Sequence, residues 1–115
     1  QIIHAIGRGF NPDRALMLLE DKNTFEIINI ENYSRKTKKD LKRLKSRIIG
    51  RKGRARQIIE NLANVDLSIY GKTVSIIGKI EDVGIARHAI NNLLAGSKHG
   101  SVYAYLEKQR KLKKE

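Results

Sequence analysis

Residues 48–59 have the sequence Ile48-Ile49-Gly50-Arg51-Lys52-Gly53-Arg54-Ala55-Arg56-Gln57-Ile58-Ile59, in which two glycines enclose two basic residues. Apolar residues recur at helical spacing on both sides of the glycine pair, over 38–49 and over 54–64. The pattern predicts two helices, each with one buried face, joined by a short basic loop. Glycine favours such a junction because it lacks the Cβ atom that hinders a sharp turn of the backbone.

The chemistry of this loop suits contact with a sugar-phosphate backbone. Gly50 and Gly53 allow a ligand to approach the main chain, and the first N–H groups of the second helix point toward an anion. The neighbouring Arg and Lys side chains add positive charge at the same place. The alternative interpretation is a plain helix-helix turn with solvated cations. For an isolated G-x-x-G this alternative would be preferred, because the motif is frequent by chance.

The surrounding sequence supplies the context that favours the first interpretation. Residues 24–30 are rich in β-branched and aromatic types with apolar side chains on both faces, which predicts a strand in the centre of a sheet. Residues 65–70 and the run after 71–72 alternate apolar and polar side chains and predict a hairpin. A further helix is predicted over 82–95. This order of elements favours an α+β fold with a three-stranded antiparallel sheet packed on three helices.

Additional helices are predicted at both ends of the chain. Residues 2–6 have the pattern of the last turns of a helix, and residues 11–21 predict a short helix with proline at its first position. Residues 101–113 predict a charged helix with few apolar anchors. The basic end over 108–114 is either a solvated helix face or an additional strip for phosphate, and the sequence favours neither.

The composition is strongly basic, because 24 Lys and Arg against 12 Asp and Glu give a net charge of +12. Such a charge attracts polyanions, namely nucleic acid, an acidic membrane surface or an acidic protein. No cysteine occurs, the three histidines fit no zinc spacing and the carboxylates are scattered. We therefore predict no metal, no cofactor and no catalytic site. Without an apolar run of membrane-spanning length, we expect a cytoplasmic protein that is not an enzyme.

Several stretches resemble one known family. They are Ala5-Ile6-Gly7-Arg8-Gly9-Phe10 leading into Ala15-Leu16, then 47–54, Tyr70-Gly71-Lys72-Thr73-Val74 with Ile77-Gly78, and Gly96-Ser97 through His99-Gly100 to Val102-Tyr103. The chain is similar to the archaeal branch of the Partner of Nob One family, KH-domain proteins of ribosome assembly, and to its C-terminal portion with the second KH domain. The resemblance implies a type I KH domain over 24–96. Residues 1–23 would form the end of a preceding KH module and a linker helix, and 97–115 would form a basic C-terminal helix.

The resemblance also implies a function, the binding of single-stranded RNA near the 3′ end of small-subunit ribosomal RNA. A KH loop clamps about four nucleotides, and the bases then lie in an apolar groove beside the second strand. We expect Ile58 and the edge over 68–70 to contribute to this groove. The predicted RNA-binding residues are Arg47, Ile49, Gly50, Arg51, Lys52, Gly53, Arg54, Arg56 and Tyr70. Arg56 stands where most KH modules have an apolar residue, so it either contacts phosphate or solvates the helix.

Two alternatives remain open at this point. The chain could be a protein-interaction module that docks the endonuclease trimming this ribosomal RNA, or a translation initiation factor, through its first and last helices. It could also be the RNA-binding part of a nuclease or phosphorylase whose catalytic residues lie in other sequence. Binding that is insensitive to salt and to the loop charges would favour the first alternative over RNA binding.

Overall fold

The sheet consists of β1 (Asn23–Asn29), β2 (Asp66–Tyr70) and β3 (Thr73–Lys79). The computed structural model describes residues 23–35 and 37–114, so the helices predicted within 1–22 lie outside the described residues. Both β1 and β2 pair antiparallel with β3, giving the order β1-β3-β2. The predicted α+β fold with a three-stranded antiparallel sheet is confirmed.

The prediction that the strand over 24–30 is central is wrong, because β3 holds that position. Five consecutive residues of β3, from 74 to 78, are buried, whereas Ile27 of β1 is 37% exposed. Apolar side chains on both faces indicate that a strand is partly covered on both sides. They do not indicate which strand has a neighbour on each edge, and this pairing depends on residues far apart in the chain.

In the described part of the chain, four α-helices accompany the sheet: α1 (Lys38–Ile49), α2 (Arg54–Ala63), α3 (Ile80–Ala95) and α4 (His99–Lys114). α1 begins after Thr37, whose Oγ1 accepts a hydrogen bond of 3.0 Å from the Asp40 N–H. The Arg35 N–H and the Arg43 guanidinium donate to the Asp40 carboxylate and lower its pKa. Among the described residues, none of the helices is long and apolar enough to cross a membrane.

One hydrophobic core lies between the sheet and the helices, and all four helices contribute to it. Its fully buried members include Leu44, Ile48, Ile59, Leu67, Val74, Ile76, Ile90, Leu93 and Leu106. α4 packs against α2 and α3 and contributes Val102 and Leu106 to this core. The division of the chain at residue 96 stays a prediction, but the helix that follows residue 96 shares the core of the elements before it.

The junction between α1 and α2 is made by Gly50 and a 3-10 turn over Arg51–Gly53. The φ angle is +74° at both Gly50 and Gly53 and +55° at Lys52. A Cβ atom at residue 50 would lie 2.6 Å from the Cβ of Ala55 and 2.7 Å from its backbone nitrogen, whereas one at residue 53 would meet nothing within 4 Å. Residue 50 must therefore be glycine for both conformation and space, and residue 53 for conformation only.

We expect Gly50→Ala to destabilise the protein more than Gly53→Ala does. Both substitutions place a side chain in the left-handed region, at a cost of about 1–2 kcal/mol. Gly50→Ala also forces a methyl group into Ala55, which adds about 1–3 kcal/mol of overpacking. Urea unfolding of the two variants measures the difference in the free energy of unfolding. Equal losses would contradict the close approach of the two helices at this glycine.

We also expect α4 to be an integral part of the fold. Leu106 is fully buried and Leu112 is 55% exposed on the same helix, so they form a matched pair. Leu106→Ala should lower the free energy of unfolding by about 2–5 kcal/mol, whereas Leu112→Ala should change it by about 0.5 kcal/mol or less. A small effect of Leu106→Ala in denaturant unfolding would mean that α4 is detached from the core in solution.

Candidate nucleic-acid interface

The tip of the α1-α2 junction presents uncompensated positive charge. Arg51, Lys52 and Arg54 are exposed, and among the described residues no carboxylate pairs with any of them. No side chain caps the start of the 3-10 turn or of α2. The first N–H groups of a helix have no partner within the helix and carry its positive dipole end. The structure therefore brings exposed cations together beside a helix start that no side chain caps. The amides of Gly50, Gly53 and Arg54 donate to the carbonyl oxygens of Ser46, Gly50 and Arg51.

Arg56 points away from this tip. Its Nε lies 3.4 Å from Glu60 Oε1, one turn further along α2, and the other carboxylate oxygen of Glu60 accepts a hydrogen bond of 2.9 Å from the Leu67 N–H. Arg56 thus belongs to a bridge between α2 and the start of β2. Its predicted contact with RNA stays a prediction, and the structure supplies an intramolecular partner for the unusual arginine at this position.

Arg47 lies on the side of α1 that faces the corner between α3 and α4. It is half-buried, and its guanidinium donates to the carbonyl oxygens of Leu93 at 2.9 Å and Ser97 at 2.5 Å. Its own carbonyl oxygen lies 2.8 Å from His99 Nε2. Two of its nitrogens are therefore engaged within the protein, unlike those of the exposed cations at the tip.

Ile49 borders a depression of about 350 Å³ on the surface of α1. Leu41 and Ile49 supply its apolar parts, and its other lining residues are Lys38, Lys42, Lys45 and Ser46. From Lys38 to Ile49 the helix rises roughly 16 Å, at 1.5 Å per residue. We call this surface the α1 trough. It leads from the glycine loop along a row of lysines.

A second depression, of about 290 Å³, continues from the α1 trough toward the β2-β3 hairpin. It shares Lys38 and Leu41 with the trough and is also lined by Glu31 and Lys72, which form an ion pair of 2.5 Å. Tyr70 precedes this hairpin turn and is 56% exposed. Ile58 is half-buried on α2 and lines neither depression. Among the described residues, the surface therefore offers apolar contact mainly from α1 and exposed aromatic side chains at Tyr70 and Tyr33.

The lysines of the α1 trough were not among the residues predicted from the sequence. Lys38, Lys42 and Lys45 recur at intervals of four and three, which places them on one face of α1 together with Ile49. This spacing is visible in the sequence, but the predicted site residues are mainly those next to the glycine loop. In the described residues, no group of three or more His, Asp or Glu side chains could hold a metal ion.

A comparison with family models matches residues 24–111 to the second KH domain of PNO1, described as a eukaryotic-type KH domain, or KH-domain type I. A KH domain-containing protein of Methanocaldococcus jannaschii is 45% identical over 109 residues, which cover 95% of this chain and 48% of that protein. A pre-rRNA-processing protein pno1 of Aspergillus fumigatus is 34% identical over 110 residues, with 92% and 43% covered. The chain thus spans about half the length of these relatives.

Solved structures also show similarity to proteins of this kind. The chain is 51% identical to Dim2p in a crystal structure of the a/eIF2alpha-aDim2p-rRNA complex from Pyrococcus horikoshii, with a TM-score of 0.88. The match covers 96% of this chain and 59% of that one. The predicted resemblance to the Partner of Nob One family, PNO1, is confirmed by the family model over most of the chain. This chain belongs to the PNO1-type KH-domain family.

Proposed function

We propose that the chain binds single-stranded RNA through the loop Gly50–Gly53. The observation that carries the proposal is the exposed tip, where Arg51 and Lys52 stand unpaired among the described residues beside the uncapped start of α2. Amide donors and cations at one place stabilise a phosphate by charge-assisted hydrogen bonds. Glycine at positions 50 and 53 lets the strand approach the backbone closely. The phosphates of about four nucleotides would then follow this tip.

The α1 trough provides the path for the strand on one side of the loop. Its lysines balance phosphate charge, and its apolar floor at Leu41 and Ile49 accepts the faces of unpaired bases. The trough, roughly 16 Å long, is long enough to follow several nucleotides of an extended strand. Tyr70, beyond the second depression, offers a stacking surface at the far end.

We further propose that the natural ligand is the 3′ region of small-subunit ribosomal RNA during ribosome assembly. The Pyrococcus horikoshii relative forms a complex with rRNA, and the Aspergillus fumigatus relative is a pre-rRNA-processing protein. The resemblance of this chain to the family and its basic charge both agree with such a ligand. Because the chain spans about half of its curated relatives, residues beyond it would also contribute to that recognition.

A second candidate function is the docking of a translation initiation factor, and one observation favours it. The crystal structure of the Pyrococcus horikoshii relative contains a/eIF2alpha together with aDim2p and rRNA. Because the factor and the RNA are present together in that complex, the two functions would be compatible. The rRNA-trimming endonuclease would be a further partner, and only the family resemblance supports this proposal.

We expect the double variant Arg51→Asp, Lys52→Asp to abolish RNA binding without loss of stability. The substitutions replace attraction of phosphate by repulsion at the tip, while aspartate tolerates the left-handed backbone at residue 52 and suits a helix start. Binding is measured by fluorescence anisotropy with a labelled single strand copied from the 3′ end of archaeal small-subunit ribosomal RNA. The melting temperature should stay close to that of the wild type.

The matched control is Lys79→Asp, Lys98→Asp, which makes the same change in net charge at two exposed positions outside the loop. This control should bind RNA with nearly wild-type affinity. Equal losses in both double variants would show that the overall charge, and not the loop, binds RNA. A randomised single strand tests the proposed ligand separately, because weaker binding of the random strand is expected only if the ribosomal sequence is recognised.

A further inference from the structure

A reciprocal set of hydrogen bonds joins the end of α1 to the corner between α3 and α4. Arg47 donates through Nε to the Leu93 carbonyl at 2.9 Å and through Nη2 to the Ser97 carbonyl at 2.5 Å. In the opposite direction, His99 Nε2 lies 2.8 Å from the Arg47 carbonyl oxygen. A carbonyl oxygen only accepts, so Nε2 carries the proton in this contact. We call these three bonds the corner clasp.

The corner clasp adds hydrogen bonds to backbone carbonyls at the helix ends, of which that of Leu93 also accepts from the Gly96 N–H. α1 ends at Ile49, and Gly50 has φ and ψ of 74° and 177°, so the Arg47 carbonyl has no helical N–H four residues ahead. His99, the first residue of α4, takes that role. The Leu93 and Ser97 carbonyls lie at the end of α3 and just beyond it, where the helix dipole favours a cation. Each side of the corner therefore caps the other.

The corner is itself held firmly by α4. Val102 and Leu106 are buried in the common core, and Lys113 near the far end of α4 forms an ion pair with the buried Asp82 of α3. The ring of His99 also lies 6.0 Å from that of Tyr103, whose pKa is raised by burial. His99 is consequently presented to Arg47 from a fixed support.

Any movement at Arg47 reaches the glycine loop directly. Only Ile48 and Ile49 separate Arg47 from Gly50, and Gly50 packs so closely on Ala55 that there is no room for a Cβ atom. A shift of the end of α1 would therefore displace the start of α2 as well. The start of α2 supplies the amide donors proposed to hold phosphate, so the clasp fixes the position of those donors.

We infer that Arg47 is a positioning residue for the RNA loop, and that α4 supports RNA binding through His99 without contacting RNA. This inference rests on the proposed function of the loop. It changes the role of Arg47, which the sequence predicts as an RNA contact. It also gives a physical role to the closing motif over 96–103, because Ser97, His99 and Val102 all belong to the clasp or to its support.

Arg47→Lys separates positioning from direct contact with phosphate. Lysine keeps the charge but cannot bridge two carbonyl groups as the planar guanidinium does. We expect the affinity of the full chain for the labelled ribosomal strand to fall about tenfold at every salt concentration. The slope of log K against log salt should stay that of the wild type, because no phosphate contact is lost. If Arg47 contacts phosphate, Arg47→Lys should bind like wild type and Arg47→Ala should reduce the slope by about 0.7.

His99 provides a second test that leaves every cation of the chain in place. His99→Phe keeps a ring but removes the donor to the Arg47 carbonyl, so it should weaken RNA binding with an unchanged salt slope. His99→Gln keeps an N–H donor of similar reach and should restore most of the affinity. Lys98→Ala, an exposed neighbour in the same corner, is the control and should bind like wild type. Equal binding by His99→Phe and wild type would overturn the inference.

The outcomes distinguish this inference from the proposed function. If the wild-type chain and the Arg51→Asp, Lys52→Asp variant bind the strand equally, the loop function itself fails. If the loop variant loses binding while Arg47→Lys and His99→Phe keep it, only the positioning role fails. Hydrogen exchange at the amides of 50–56 supplies the structural readout, because faster exchange in His99→Phe than in His99→Gln is expected from a loosened loop.

Discussion

The close approach of α1 and α2 at Gly50 is the constraint on which the site depends. Two helices that meet with 2.6 Å between a hypothetical Cβ at residue 50 and the Cβ of Ala55 cannot slide past each other. The connecting turn is consequently forced outward, with Lys52 in a left-handed conformation that is uncommon for a residue other than glycine. In this conformation the basic side chains are exposed and no side chain caps the start of α2. The geometry that makes the loop accessible is thus imposed by packing behind it.

The parts of the fold that follow local periodicity could be predicted from the sequence. The helix predicted over 38–49 is observed as Lys38–Ile49, and the one over 82–95 as Ile80–Ala95. The glycine loop between α1 and α2 could be predicted as well, since glycine spacing and charge are local signals. The order of the strands could not be predicted, because β-branched residues in 24–30 indicate a strand but carry no information on its neighbours in the sheet. The pairing that places β3 in the centre joins residues about fifty positions apart, such as Ile27 and Ser75.

The difference between local signals and contacts of residues far apart in the chain also explains where the individual site residues lie. Arg51, Lys52 and Arg54 lie at the tip as expected, because their position in the turn is decided by their immediate neighbours. Arg47 has partners 46 and 50 residues away, and no local pattern reveals them. Its proximity to the loop in sequence suggested the same role as that of the tip cations. Burial of an arginine against backbone carbonyls is a property of the assembled helices, and only the fold discloses it.

The distribution of charge gives a further reason why the loop and the trough stand out from a surface that is basic throughout. Carboxylates at Glu26, Glu31, Asp40, Glu60 and Asp82 each pair with a lysine or arginine in the described part of the chain. Such pairs contribute little to stability when exposed, but they neutralise the cations that they contact. The cations of the tip and of the α1 trough have no such partner among the described residues. Exposed lysines without such a partner also lie elsewhere among these residues, for example Lys79 and Lys98. The cations of the tip and of the α1 trough differ in forming one continuous path from the glycine loop along α1, which an unpaired polyanionic strand can follow.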